Sequence, residues 1–435
     1  MFRALSSSST TIAVPRAPTA VAAVAAAGVA ARRSHATAQR MTASEAFVET
    51  LAAHEARDCF GIVGSAFMDA LDLFPTAGIR FISVQHEQNA AHMADGYSRV
   101  SGRHGLCIAQ NGPGITNFVT GIAAAFWAHS PVVAITPEAG SLTKGLGGFQ
   151  EVDQLPLFQP ITKYQAHINH PARIAELTGR ALDVALRERG PVQINIPRDM
   201  FYNEGTFAIP PPRPIEGSAG GAESLRRAAE LIVGAQRLVI LSGGGVVISK
   251  AIPSVVNLAD RLSAPVAVSY LHNDAFPSAH PLAVGPLGYQ GSQTAMHLIA
   301  EADVVLAIGT RLGPFSTTPQ YGFDYWPGSA AKLIQIDSNP RNLNLTRPAD
   351  VAIEGDALLA TQEILRLVDT MIGSFSPTQR SSFQSLSVQR RSRVIDAKQT
   401  WAKTLDRMTF SPPLGGSGLC KPRHALRELE KVSLS

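Results

Sequence analysis

Hydrophobic and polar positions along the chain follow two periods that predict strands alternating with helices. Short apolar runs rich in β-branched residues predict buried strands, and the segments between them carry apolar residues at helical spacing. In the first half of the chain the predicted strands are 59–63, 81–84, 106–110, 131–136 and 192–196. The predicted helices are 44–54, 66–73, 87–100, one that ends near Trp127, and 171–189. This alternation predicts a parallel sheet with helices on both faces.

The second half of the chain repeats the pattern after a segment rich in Pro, Gly and Ser. Its predicted strands are 238–241, 266–269, 304–308 and 332–336, followed by a closing helix 356–370. The predicted domains and linkers are a leader 1–40, a first domain 41–205, a linker 206–221, a central domain 222–371, a linker 372–420 with a helix near 387–408, and the beginning of a third domain 421–435. The predicted fold class is therefore α/β, with two doubly wound parallel-sheet domains plus the stub of a third.

The composition, 45% hydrophobic and 17% charged residues, is typical of a globular α/β protein. The formal net charge is +4, but residues 1–40 contain five Arg and no acidic residue, so the remaining chain is nearly neutral. This balance argues against a nucleic-acid-binding surface. The leader has the composition of an organelle transit peptide, so we expect a mitochondrial protein, with the plastid as the alternative. Outside the leader no window is apolar enough for a membrane span.

Neither the cysteines nor the histidines show the spacing of a metal site. The cysteines are Cys59, Cys107 and Cys420, and the first two lie in apolar runs, which predicts buried thiols. The 12 histidines include no pair at the spacing of a zinc motif such as HExxH. We therefore expect no metal ligands among these residues.

Glu87 occupies a position where α/β proteins commonly bind ligands. The predicted strand 81–84 is followed by the polar corner Gln85-His86, and Glu87 then falls in the first turn of the predicted helix 87–100. In open parallel sheets, ligands bind just outside the carboxyl ends of the strands. The simpler alternative is an acidic residue that only stabilises the helix N-terminus through the helix dipole.

The segment 86–99, HEQNAAHMADGYSR, resembles the glutamate segment of enzymes that use thiamin diphosphate. Near Gly112, Gln150 and Ile196 the chain also resembles one branch of that family, the sulfoacetaldehyde acetyltransferases. The resemblance covers roughly residues 41–370. It implies that 41–205 is the pyrimidine-binding domain and that 222–371 is the central Rossmann-like domain.

The resemblance implies specific roles for three side chains. The Glu87 carboxylate is expected to bond N1′ of the aminopyrimidine ring and so favour the tautomer that removes the thiazolium proton. Gln150 and Lys163 complete the expected catalytic set, since the Phe-Gln pair of the family reaches toward the cofactor and a matching lysine lies near the active-site entrance. A solvated lysine and a mobile Gly-rich surface loop around Gln150 are the alternatives.

The expected cofactor-binding residues lie in four segments. They are Gly64, Glu87, Asn111, Gly112, Pro113, Gly114 and Phe149. The glycines suit this role because they let the backbone approach a flat ring closely. The alternative for 111–114 is an ordinary strand-to-helix turn.

The resemblance implies that sulfoacetaldehyde and phosphate are converted to acetyl phosphate and sulfite. Both substrates are anions, and Arg198 and Arg311 are candidate ligands because a guanidinium matches tetrahedral oxyanions. The expected partners are these small molecules and further copies of the chain, in a homodimer or homotetramer, with no nucleic acid or membrane. The alternatives are an acetolactate synthase-like carboligase with FAD, or a non-catalytic truncated partner.

The expected cofactors are thiamin diphosphate and Mg²⁺. The family binds Mg²⁺ through a GDG motif and a downstream Asn in a third domain, whereas here Gly355-Asp356 is followed by Ala357. We therefore expect the Mg²⁺ ligands in a C-terminal domain that this chain lacks, and the chain alone to be inactive.

FAD is not expected, although related synthases hold it in the middle domain. The triple glycine 243–245 lacks the GxGxxG spacing of a dinucleotide site. Asp337, at the end of a predicted strand, would suit a ribose hydroxyl. Because the sulfoacetaldehyde branch is not known for a flavin, we interpret the middle domain as mainly structural.

Overall fold

The structure, a computed structural model, describes residues 38–328, 330–410 and 421–433. These residues form two six-stranded sheets and one two-stranded ribbon. Every strand pairing in the two large sheets is parallel, whereas the ribbon is antiparallel. The predicted α/β class with two parallel sheets is confirmed.

The first half of the described chain contains the ribbon and the first sheet. Its strands are β1 (Gln39–Thr42), β2 (Asp58–Gly61), β3 (Arg80–Ser83), β4 (Gly105–Ile108), β5 (Val132–Glu138), β6 (Tyr164–His167), β7 (Val192–Pro197) and β8 (Glu204–Phe207). Its helices are α1 (Ala43–Ala53), α2 (Met68–Leu73), α3 (Glu87–Ser101), α4 (Pro113–Thr116), α5 (Val119–Ala128), α6 (Leu155–Phe158) and α7 (Ile174–Arg187). β1 pairs with β8, and the sheet order is β3-β2-β4-β5-β7-β6.

Alternating side chains explain why helices cover both faces of the first sheet. Successive side chains of a strand point to opposite faces. Cys59, Leu106 and Val133 belong to one buried apolar cluster, whereas Phe60 and Cys107 belong to another. Helices α1 and α7 pack together in the first cluster, and α3 and α5 pack together in the second. Because both faces are buried, the register of each strand is fixed.

The second half of the described chain forms the second sheet and its helices. Its strands are β9 (Leu238–Ser242), β10 (Val266–Val268), β11 (Ala283–Pro286), β12 (Val304–Ile308), β13 (Lys332–Asp337) and β14 (Val351–Glu354), in the order β11-β10-β9-β12-β13-β14. Its helices are α8 (Ala222–Gly234), α9 (Gly244–Ile248), α10 (Ile252–Leu262), α11 (Gln293–Ala300), α12 (Pro314–Thr317), α13 (Ala357–Gly373), α14 (Pro377–Phe410) and α15 (Pro422–Ser433).

Arg390 holds the long helix α14 against the carboxyl ends of helices α8 and α10. The residue is only 3% exposed, and its guanidinium donates hydrogen bonds to the carbonyl oxygens of Ala235 at 2.5 Å, Gln236 at 3.2 Å and Leu262 at 2.6 Å. These carbonyls lie at the carboxyl ends of α8 and α10, where the helix dipole favours a cation. Burial lowers the pKa of Arg390 to about 10, which leaves it charged at neutral pH.

Several elements differ from the sequence prediction. Five short strands were not predicted: β1, β6, β8, β11 and β14. The helix expected near 387–408 is longer, because α14 covers Pro377–Phe410. Residues 1–37 of the expected leader lie outside the described residues, and the domain boundaries themselves stay predictions.

Candidate functional site

Glu87 lies in the first turn of α3, just after the carboxyl end of β3. The helix begins there because His86 caps it: His86 Nδ1 accepts a hydrogen bond from the Gln88 amide at 3.1 Å. Glu87 is half-buried, and its Oε2 accepts a hydrogen bond from Asn117 Nδ2 at 2.8 Å. A Cβ atom on Gly114 would lie 3.4 Å from Glu87 Oε1. The carboxylate therefore faces the turn that follows β4.

The turn after β4 touches the end of the Gly-rich segment 140–151, which we call the glycine loop. Gly112 has φ +71° and ψ −113°, and a Cβ atom there would lie 2.2 Å from the carbonyl oxygen of Gln150. The Gly112 amide donates to Gln154 Oε1 at 2.9 Å. Asn111 Nδ2 donates to the carbonyl oxygens of Phe149 at 3.1 Å and Gln150 at 3.0 Å. Only glycine allows this close approach of two backbones.

Gln110 joins the turn after β2 to the same place. Its Nε2 donates to Gln150 Oε1 at 3.1 Å, and its Oε1 accepts a hydrogen bond from the Ala66 amide at 3.1 Å. A Cβ atom on Gly64 would lie 2.4 Å from Gln110 Oε1, so this turn also depends on a missing side chain. The structure therefore brings together the predicted residues near positions 64, 87, 111–114 and 149–150.

Pro113 and Phe149 are the exposed members of this group. Pro113 opens α4, where its missing amide hydrogen costs nothing. Phe149 is 80% exposed, so its ring projects from the anchored glycine loop into solvent. The chain therefore supplies one wall of a site and leaves an aromatic ring at its rim.

Lys163 is not brought to Glu87. It directly precedes β6, at the amino edge of the parallel sheet, whereas Glu87 follows the carboxyl end of β3. Its Nζ lies 4.7 Å from the centre of the Phe126 ring, and burial lowers the pKa of Lys163. Within the described residues Lys163 does not join Glu87 and Gln150, because parallel strands place these positions on opposite edges of the sheet.

Lys163 instead lines a cleft between the two sheet units, with a volume of about 630 Å³. Asp337 and Arg311 line it from the second unit, and the Arg311 guanidinium lies 4.9 Å from the centre of the Trp127 ring. Burial raises the pKa of Asp337. Burial first, and then the nearby cations, lower the pKa of His129 in this cleft to about 4.

The two candidate anion ligands lie in different surroundings. Arg198 follows the carboxyl end of β7, and its Nε donates to the Tyr202 hydroxyl at 2.6 Å. Arg311 lies in the cleft, which Arg198 does not line. The structure therefore does not assemble them into one oxyanion pocket. In the described part of the chain no group of three or more His, Cys, Asp or Glu side chains is placed to hold a metal ion.

Sequence reasoning missed the polar side chains that connect the predicted segments. They are Gln110, Asn117, Gln154, Asn195 and Glu138. A usable signal existed for Glu138 and Asn195, because each is a polar residue in a mostly apolar strand that is buried along its whole length. Buried polar groups require partners, so such positions point to a network.

The fold and this arrangement define a class of protein: an α/β protein with two parallel sheets and a cluster of glycines and polar side chains at the carboxyl edge of the first sheet. Comparison with protein families matches residues 41–157 to the thiamine pyrophosphate enzyme N-terminal TPP binding domain and residues 225–364 to the thiamine pyrophosphate enzyme central domain. The chain belongs to the thiamine pyrophosphate enzymes.

Curated relatives narrow this similarity. The chain is 53% identical over 410 residues to the sulfoacetaldehyde acetyltransferase of Alcaligenes xylosoxydans xylosoxydans, a match that covers 90% of this chain and 66% of the relative. It is 52% identical to the sulfoacetaldehyde acetyltransferase of Castellaniella defragrans, covering 91% and 66%. A probable acetolactate synthase large subunit of Methanocaldococcus jannaschii is 37% identical, covering 75% and 56%. The chain thus spans just under two thirds of the length of the acetyltransferases.

The predicted mitochondrial or plastid location is wrong. The sulfoacetaldehyde acetyltransferases at 46–53% identity come from bacteria, which have neither organelle. This similarity favours a cytoplasmic protein. Among the described residues no helix is both long enough and apolar enough to cross a bilayer.

Proposed function

We propose that the site at Glu87 binds the aminopyrimidine ring of thiamin diphosphate, in a protein that converts sulfoacetaldehyde and phosphate to acetyl phosphate and sulfite. The observation that carries the proposal is a carboxylate fixed by Asn117 and facing Gly114, a residue without a side chain. The names of the relatives at 46–53% identity support the choice of reaction.

The residues at the site fit a flat, nitrogen-containing ring. A carboxylate that shares a proton with a ring nitrogen must be held in place and partly shielded from water. Glu87 meets both conditions, because it is half-buried and Asn117 holds one of its oxygens. Gly114 presents no side chain toward the Glu87 carboxylate, and the buried Asn111 holds the turn at Gly112 against the glycine loop.

Bound thiamin diphosphate would supply the carbon nucleophile for the aldehyde. In this proposal Glu87 holds the proton at the pyrimidine nitrogen, and Asn117 orients its carboxylate. Gln150, fixed by Gln110, presents its amide to the substrate, while Phe149 shields the site from water. Gly64 supports Gln110 from the turn after β2. For Lys163 the catalytic role stays a prediction that its contacts within the chain do not support.

The accessory components are also proposals. Mg²⁺ remains an expectation, since the described residues offer no metal-binding group of three or more His, Cys, Asp or Glu side chains. We propose a homodimer or homotetramer, because large apolar side chains beside the site are exposed: Val63, Met68, Leu142, Leu146 and Phe149. Exposed apolar patches commonly mark subunit interfaces. Sedimentation velocity would test this, and a monomer at all concentrations would contradict it.

Thiazolium proton exchange tests the role of Glu87. NMR of the full-length protein with thiamin diphosphate and Mg²⁺ should show accelerated exchange of the thiazolium proton, and Glu87→Gln should abolish it with the fold intact. Glu45→Gln is the matched control, because Glu45 is also a first-turn acid, in the capping box of α1. Near-normal exchange in Glu87→Gln would refute the role. Sulfite release from sulfoacetaldehyde, with and without phosphate, tests the reaction.

A further inference from the structure

We propose that Glu138 is a positioning residue that holds the glycine loop, and with it Gln150, against Gly112. The inference deepens the proposed function and rests on it, because the held residues line the proposed cofactor site. Its structural content can be tested separately, since the position of the loop does not depend on what the site binds.

Glu138 is a buried carboxylate with three partners from three segments. It ends β5, is 2% exposed, and its Oε2 accepts a hydrogen bond from Asn195 Nδ2 at 2.7 Å. Lys144 Nζ, from the glycine loop, lies 2.5 Å from Oε1, and His167 Nε2, at the end of β6, lies 3.3 Å from Oε2. One carboxylate thus ties the loop to two strands that neighbour each other in the sheet.

A line of buried side chains connects this carboxylate to the proposed cofactor turn. Asn195 Oδ1 accepts a hydrogen bond from Gln154 Nε2 at 2.9 Å, and Gln154 Oε1 accepts one from the Gly112 amide at 2.9 Å. Gln154 is 1% exposed and Asn195 is fully buried. Rotation of any member of this line would leave a buried polar group without a partner, which is costly.

Contacts within the glycine loop give it a defined shape that the Lys144 contact can transmit. The Glu151 carboxylate accepts hydrogen bonds from the amides of Gly145 at 2.5 Å and Gly148 at 2.8 Å. The Ser141 amide donates to Asp199 Oδ1 at 2.7 Å. Because the loop is braced internally, fixing Lys144 also restricts its far end, where Asn111 binds the loop backbone.

The Glu138 carboxylate is buried, whereas the Lys144 side chain is 42% exposed, so only one charge of the pair is removed from water. A buried carboxylate is costly unless a cation and hydrogen bonds satisfy it, and here Lys144 and Asn195 supply both. Burial acts to raise the pKa of Glu138, but its interactions with His167, Lys144 and Asn195 outweigh burial and lower the pKa. The hydrogen bond to Glu138 raises the pKa of Lys144. Both groups are therefore charged at neutral pH.

Hydrogen–deuterium exchange of the whole 435-residue chain tests the proposal. Lys144→Met and Glu138→Gln should each speed exchange in peptides covering 141–151 by at least about tenfold, since each removes the contact between the loop and the buried carboxyl position. Lys144→Arg should restore slow exchange. The double variant should add little to either single variant, because both remove the same contact.

Lys332→Met is the matched control, because Lys332 also pairs a half-exposed ammonium with a carboxylate, Asp350 at 2.8 Å, in the second sheet. It should leave the glycine loop unchanged. Unchanged exchange at 141–151 in Lys144→Met, or equal acceleration across the whole first sheet, would overturn the proposal. Thiazolium proton exchange in the full-length protein separates the two ideas: if exchange is not accelerated while the hydrogen–deuterium result is as expected, the proposed function is refuted and the role of Glu138 stands.

Discussion

Replacing Gly112 by Ala should be one of the most damaging single-methyl changes in this chain. A Cβ atom at this position would lie 2.2 Å from the carbonyl oxygen of Gln150, and φ is +71° with ψ −113°. Strain in such a sparsely populated conformation costs about 1–3 kcal/mol. Relief of the clash must also move the Gln150 backbone, which breaks the hydrogen bonds from Asn111. We expect a total loss of about 3–5 kcal/mol in free energy of unfolding.

Gly102→Ala provides the control, because Gly102 has nearly the same φ, +70°, and nothing within 4 Å of an added Cβ atom. Its ψ of 10° is ordinary left-handed helix, so we expect a cost of only about 1 kcal/mol. Urea titrations followed by circular dichroism would measure the free energy of unfolding of both variants, and calorimetry on the full-length protein would show whether Gly112→Ala also abolishes thiamin diphosphate binding. If the two variants lose the same free energy of unfolding within about 0.5 kcal/mol, the usual error of such comparisons, the predicted clash at Gly112 is refuted.

Three other predictions follow from buried groups in the two units. The free energy of unfolding should rise by about 2–3 kcal/mol from pH 4 to 6.5, because His129, with a folded-state pKa of about 4, binds a proton in that window only when the protein is unfolded. His129→Asn should flatten this pH profile, and Asn tolerates the φ of +59° at this position. An unchanged slope in the variant would contradict the prediction. Arg390→Met should lower the free energy of unfolding by about 3 kcal/mol, because three carbonyl oxygens lose their hydrogen-bond donor. Arg380→Met, on an exposed part of α14, is the control and should lower it by less than about 0.5 kcal/mol. Equal losses in urea titrations would refute the role of Arg390 in holding α14. Burial raises the pKa of Cys59 and Cys107, so peptide mass spectrometry should find neither alkylated at pH 8 until the protein unfolds, and native labelling would count against their burial.

The central strands could be predicted from the sequence because each is a continuous apolar run. The strand expected at 304–308 matches β12, and those expected at 106–110 and 192–196 lie within two residues of β4 and β7. The edge strands β6, β11 and β14 were missed because an edge strand has one neighbour and a weaker apolar signal; β6 reads YQAH. Helix α14 lacks a clear apolar stripe, and it is held in part by Arg390, whose carbonyl partners lie more than a hundred residues away in the chain.

Strand order explains both what local sequence showed about the site and what it missed. In the first sheet the chain moves outward from β2 to β3 on one side and to β4 on the other, so the turns after β2 and β4 open a crevice at the carboxyl edge. Gly64 and Gly112 lie in those two turns, which is why separate glycines meet around Gln110. The second sheet has the same switch between β9 and β12.

The triple glycine 243–245 gains a physical explanation from this second switch. The Gly245 amide donates to the carbonyl oxygen of Gly309 at 2.9 Å, and a Cβ atom on Gly243 would lie 2.5 Å from that oxygen. These glycines are required because the turns after β9 and β12 touch each other, whatever the cleft binds. A glycine motif read along the chain cannot distinguish contact with a ligand from contact with a second turn, because strand order depends on pairing between distant segments. The glycines of the first sheet contact another turn too, and there the discriminating feature is Glu87, a carboxylate directed at the glycine turn.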